Sequence, residues 1–313
     1  MVYGNTTKEG FILLGFSEYI DSQVLLFFGF LAAYSICILE NILLIVLVCL
    51  NSQLHTPMYF FLCNLSFLDI CLTTLIHPKF LLTFLNMRAI SFYECMGQLY
   101  LYIGLQSLEY LLLTVMSYDR YVAICDPLHY NIILNRKVCV TLSAVTWLIS
   151  LADPAPIMHF LTKLPFCKSR KINHLFCDSV PLLQLSCGSI TKVGIVILIE
   201  VAGLALPAFT FTLYSYISII SVILKIQSAK GRLKAFSTCS SHLTVVSMLY
   251  LTLTCIYFVP QSSNTSLNNS KTVSLLNIVL IPMLNPVLYS LRNKDVKNAF
   301  LKLIKRKRIS SKK

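Results

Sequence analysis

Seven long apolar runs constrain this chain more than any other feature, at about residues 24–50, 57–82, 96–124, 138–158, 193–224, 236–259 and 272–291. A helix crossing the ~30 Å hydrocarbon core of a bilayer needs about 20 mostly apolar residues. Strands of a membrane barrel would show about 10 residues of alternating polarity, whereas these runs are continuous. Charge agrees. Only 12% of the 313 residues are charged, against about 25% in a soluble domain. Two soluble domains, which length alone would allow, are thereby excluded. The expected fold is an all-α membrane protein, a seven-transmembrane helix bundle. A head at 1–22 precedes the bundle at 23–292, and a basic tail follows at 293–313.

Lysine and arginine set the expected orientation, because cytoplasmic loops carry an excess of both. Arg136 and Lys137 follow the third run, and Lys225, Lys230, Arg232 and Lys234 follow the fifth. Arg292, Lys294, Lys297, Lys302, Lys305, Arg306, Lys307, Arg308, Lys312 and Lys313 follow the seventh. With seven spans these positions share one face, taken as cytoplasmic, and the N-terminus lies outside. Lys163, Lys168, Arg170 and Lys171 dissent, but long loops obey the rule weakly. No cleavable signal peptide is expected before the first run. The net charge of +13 sits mostly in the tail. Beside a membrane that favours anionic inner-leaflet lipid as partner over nucleic acid. Val296, Phe300, Leu301 and Ile304 are spaced for a short amphipathic helix on that surface.

Charges inside apolar runs are costly and mark candidate functional positions. Asp119-Arg120-Tyr121 ends the third run, Asp69 lies in the second, Glu109 in the third and Glu200 in the fifth. Buried acids must share a proton, find donors or hold a cation. Glu40-Asn41 needs partners on other helices, since lipid offers none. Pro286 frees a backbone group at depth that Asn285 can help satisfy. Cys95, Cys167, Cys177 and Cys187 fall on the outer face. Pairing is favoured there, and four cysteines leave three connectivities open. His174-Leu175-Phe176-Cys177-Asp178 could ligate zinc or copper only with Cys177 as a free thiolate. Asn5 heads an outer glycosylation sequon, as do Asn264 and Asn268, while Asn64-Leu65-Ser66 is a sequon within a membrane helix.

Six segments, in order, resemble the olfactory receptors, a branch of the rhodopsin-like G-protein-coupled receptors. They are Leu54–Leu62, Met116–Cys125, Pro127-Leu128-His129-Tyr130, Ser215-Tyr216, Lys234–Leu243 and Pro282–Asn293. The Pro-Leu-His-Tyr form and the long loop are similar to the tetrapod-type class. The resemblance implies bridges Cys95–Cys177 and Cys167–Cys187. It implies a cytoplasmic switch of Asp119, Arg120 and Tyr121 with partners Tyr216, His242 and Tyr289. It implies a polar core of Asp69, Glu109 and Asn285 able to hold a sodium ion. The implied function is binding of small volatile odorants and activation of a stimulatory olfactory-type heterotrimeric G protein, raising cAMP, at the plasma membrane of sensory cilia. Three positions depart from the family pattern: Glu40 replaces a glycine, Leu251 replaces a glycine, and Gly188-Ser189 stands where an aspartate follows the loop cysteine.

In similar receptors the odorant sits in the outer half of the bundle. Helical spacing from the motifs then points inward at Tyr102, Ile103, Gln106, Ser107, Glu200, Leu204, Leu253, Thr254 and Tyr257, joined by Ser179 and Ile278. A charged Glu200 facing this space would favour an amine or a polar donor. A transporter should show repeats between halves, and none is visible. An enzyme should show a nucleophile–base or metal-ligand set, and none accompanies Asp69 and Glu109. A receptor for a non-odorant ligand in another tissue keeps the same fold.

Overall fold

The computed structural model describes residues 10–258, 271–291 and 296–301. Six of its helices are long and apolar enough to cross a membrane. The first four are Ile20–Leu50, Pro57–Phe84, Phe92–Cys125 and Arg136–Leu161, followed by Thr191–Lys225 as the fifth and Lys271–Leu288 near the end. The apolar stretch Cys239–Cys255 lies inside a further helix, Ala229–Phe258. In chain order that helix is the sixth and 271–291 the seventh. These are the expected seven runs, with ends shifted by a few residues.

Local chemistry explains the boundaries. Pro57 opens the second helix, where its missing N–H costs nothing. Ser91 and Glu94 form a capping box on the third: Glu94 N donates to Ser91 Oγ at 3.2 Å, and Ser91 N to Glu94 Oε2 at 2.9 Å. Asn135 caps the fourth by accepting from Val138 N at 3.2 Å. The fourth helix is in two pieces, Arg136–Ala152 and Pro154–Leu161, joined at Asp153. The fifth and seventh each contain a π-helical turn, Val201–Ala205 and Leu276–Leu280.

Packing divides the bundle into two ends. At one end Phe11, Leu13, Phe80, Leu99, Tyr102 and Phe176 belong to one apolar cluster. At the other, Leu44, Phe61, Leu65, Met116, Val122 and Val245 form a second. Asp69 and Glu109 fall at the seam, since Leu65 and Leu113 belong to the second cluster and Leu68 and Leu108 to the first. Large apolar side chains such as Leu39, Leu148, Leu198 and Leu213 face outward. An apolar surface this extensive suits hydrocarbon, not water.

The first end is closed by a small sheet that the polar head was not expected to supply. Strand β1 (Phe11–Leu13) pairs antiparallel with β2 (Ala89–Ile90) and parallel with β3 (Lys171–Ile172). Phe11 and Leu13 point into the core and Ile12 outward, the period expected of a strand. Gly10 permits the approach, because a Cβ there would sit 2.4 Å from Ile90 O. Asn5, Asn264 and Asn268 lie outside the described residues, as do Ile304 and most of the basic tail. Residues 296–301 are helical, with Val296 and Ala299 buried against the second cluster and Phe300 and Leu301 exposed.

Candidate functional site

Both disulfides implied by the resemblance are formed. Cys95–Cys177 and Cys167–Cys187 have Cα separations of 5.4 and 5.9 Å, within the usual range. With Cys177 oxidised, the zinc or copper reading of His174–Asp178 loses its thiolate and is corrected. His174 instead packs edge-on to Phe176 and lies 3.2 Å by Nε2 from Ser274 Oγ. Its burial pushes its pKa below the usual imidazole range. Gln98 holds the loop as well: its Oε1 accepts from Cys177 N at 3.0 Å, and its Nε2 donates to Leu75 O at 3.2 Å. The loop that carries Phe176 is therefore fixed over the bundle.

Beneath it lies a cavity of about 580 Å³. Its lining includes Tyr102, Ile103, Gln106, Ser107, Glu200, Leu253 and Thr254, seven of the residues that helical spacing pointed inward, and the loop residue Ser179. Leu204 and Ile278 do not line it, and both lie in π turns. In such a turn residues five apart share a face, so Ala205, not Leu204, follows Glu200 into the cavity. Leu204 packs in the second cluster instead. Ile278 is fully buried in the first cluster, while its neighbour Asn277 reaches the bundle interior. The side chain of Tyr257 lies outside the described residues.

The main lining residue missed by spacing is Asp153. It sits at the break in the fourth helix and accepts a hydrogen bond from the Ser107 hydroxyl. Tyr110 OH in turn donates to Ser107 Oγ at 3.0 Å. An acid within an apolar run, followed by Pro154 and Pro156, was the available signal. Tyr110, Phe209, Ser247 and Tyr250 also line the space and were not foreseen.

A polar relay leads from the cavity to the seam. Gln106 Nε2 donates to Glu109 Oε2 at 2.9 Å, and Gln106 Oε1 accepts from Asn277 Nδ2 at 2.7 Å. Thr252 Oγ1 lies 3.4 Å from Asn277 Oδ1, tying in the sixth helix. Asn285 Nδ2 lies 3.0 and 3.3 Å from the two Asp69 oxygens. Of the three ways to tolerate buried acids, each has thus found an amide donor. Glu109 Oε1 and Asn285 Oδ1 are buried without a partner, so acceptors suited to a small cation remain. Asn41 joins the first helix to the seventh through Pro282 O at 3.2 Å. Glu40 is only half-buried, and its Oε2 has no partner. Asn64 accepts from Ser143 Oγ at 2.7 Å and Trp147 Nε1 at 3.2 Å, which gives this intramembrane sequon a packing role.

The other end carries the charged pair. Asp119 is fully buried and Arg120 is 13% exposed. Arg120 Nε donates to Asp119 Oδ2 at 2.9 Å, and its terminal nitrogen bonds the same oxygen. Tyr130 OH donates to Asp119 Oδ1 at 2.7 Å. Burial and the Asp119 carboxylate push the Tyr130 phenol well above its usual range. Tyr130 belongs to the Pro-Leu-His-Tyr motif, whose sequence alone names no partner for it. Tyr216 OH and His242 Nδ1 are hydrogen-bonded between the fifth and sixth helices. Tyr121 packs its ring near Tyr118 and Tyr214. The side chain of Tyr289 lies outside the described residues. Among the described residues no group of three or more His, Cys, Asp or Glu could hold a metal.

Known proteins bear on this arrangement. A family model described as olfactory receptor matches residues 30–307. Human olfactory receptor 8A1 is 45% identical over 98% of this chain and 94% of its own length. Mouse olfactory receptor 2B6 is 43% identical over 98% of each chain. The dog olfactory receptor-like protein OLF3 is 44% identical over 96% of this chain and 95% of its own. Similarity of that depth along the whole bundle makes the chain a multi-pass G-protein-coupled receptor and not an enzyme: it belongs to the olfactory receptor family.

Proposed function

We propose that this receptor binds small volatile odorants in the cavity beneath the disulfide-held loop and activates a stimulatory olfactory-type G protein, raising cAMP. The observation that carries the reading is one continuous third helix. It lines the cavity with Tyr102, Ile103, Gln106, Ser107 and Tyr110, and ends in the Asp119–Arg120 pair. The cavity end faces outside, with the N-terminus, and the Arg120 end faces the cytoplasm. Arg136, Lys137, Lys225 and Arg232 are exposed at that end, which supports this orientation. The setting is the plasma membrane of sensory cilia, with the basic tail against anionic lipid.

A ligand acts only through its differential affinity for two states. The bonds of Arg120 to Asp119 describe the held state. In the signalling state the sixth helix moves outward, Tyr216 and His242 separate, and Arg120 receives a G-protein segment. The Gln106–Asn277–Thr252 relay spans the third, seventh and sixth helices and supports transmission from the cavity. Asp69, Glu109 and Asn285 would hold a sodium ion at the seam, where it would supply the positive charge these oxygens lack. The test is an odorant panel on transfected cells with a cAMP readout. Arg120→Ala should abolish the ligand-dependent rise while surface delivery is retained. A variant that signals normally would refute the switch.

A further inference from the structure

The cavity is mostly apolar, yet two carboxylates line it. Asp153 comes from the break in the fourth helix and Glu200 from the turn before the π segment of the fifth. Each comes from a different helix. The two are not equivalent. Asp153 is held by the Tyr110–Ser107 hydroxyl chain. Glu200 Oε1 is buried with no hydrogen-bond partner. No Lys, Arg or His is among the described lining residues. Glu200 as a whole is half-buried, but an enclosed carboxylate oxygen without a cation or donor is costly, so the missing partner is a charge the ligand can bring. The remaining walls agree, since Tyr102, Tyr110, Phe209 and Tyr250 set aromatic rings around the space, and aromatic faces attract ammonium groups.

We propose that the ligand of this cavity is a small aliphatic amine bound as its ammonium, with Glu200 as the principal contact and Asp153 as the second. The assignment rests on the receptor reading of the same cavity. The ammonium donates to the Glu200 carboxylate, and the alkyl chain lies against the apolar wall. A carboxylic acid of the same length meets two like charges, and an alcohol brings no charge to compensate either carboxylate.

Binding and signalling are measured separately. The purified full-length receptor is heated with straight-chain amines from butyl to octyl, and with the matching alcohols and carboxylic acids. Amines should raise the melting temperature and the other two series should not. Glu200→Gln should weaken amine binding about ten- to a hundredfold, as for a lost hydrogen bond to a charged group, and Asp153→Asn by less. Equal stabilisation by alcohols, no stabilisation by amines, or undiminished amine binding in a folded Glu200→Gln protein overturns the proposal. If that variant does not fold, the contrast between amines and alcohols on the natural chain decides. The cAMP assay is run with the same compounds. Amines that bind without raising cAMP support the amine site and refute the proposed cAMP-raising response. Alcohols that raise cAMP while amines fail to bind do the reverse.

Discussion

At one end of the bundle two disulfides, a three-stranded sheet and the Gln98 clamp tie the long loop to the helices. At the other end Arg120 is held by Asp119, Asp119 by Tyr130, and Tyr216 by His242. The first set includes covalent bonds that thermal motion does not open. The second set consists of contacts that a competing partner can replace one by one. The contrast fits a device in which a pre-formed cavity is kept in shape while the far end is left exchangeable.

Breaking the covalent end should have the largest effect. Cys177→Ser removes the bridge to the third helix and should cost about 2–5 kcal/mol, seen as lost thermal stability and poor surface delivery. Unchanged stability would mean that the sheet and Gln98 alone fix the loop. Next comes the charged pair. Asp119→Asn weakens a charge-assisted contact by about 1.5–3 kcal/mol, which should raise ligand-independent cAMP about ten- to a hundredfold. Basal signalling at the natural level would show that Arg120 is restrained elsewhere. Tyr130→Phe should act in the same direction but more weakly. It deletes one donor from a half-exposed ring, worth about 1 kcal/mol, and should leave surface delivery intact. A variant with lower basal signalling than the natural chain would mean that Tyr130 supports the signalling state, not the held one.

The helices were legible because hydrocarbon imposes length and apolarity on each span, whereas the Ser91 capping box and Asn135, which start the third and fourth helices ahead of their apolar runs, come from the structure. The disulfide pairing was not legible from spacing and came from family resemblance. Strand β1 escaped notice because three residues of alternating burial are too short a pattern within a polar head. Asp153 escaped because the fourth run was read as one helix, although Asp153-Pro154 interrupts it. Leu204 follows from a period of 3.6, which fails in a π turn. Tyr130 was legible as a motif residue but not as a partner, since contact with Asp119 depends on how the short helix Tyr130–Ile133 folds back.

The π turn at Val201–Ala205 also has a consequence for inheritance. It acts as a phase slip of one residue between the half of the fifth helix that meets ligand and the half that carries Tyr216. Removing a single residue there, such as Gly203, would restore ordinary helix and turn the upper half by about 100° relative to the lower. Glu200 would leave the cavity while the Tyr216–His242 contact stayed in register. A receptor lineage can therefore exchange its whole fifth-helix recognition surface by one codon's insertion or deletion, without disturbing the machinery that reports the result.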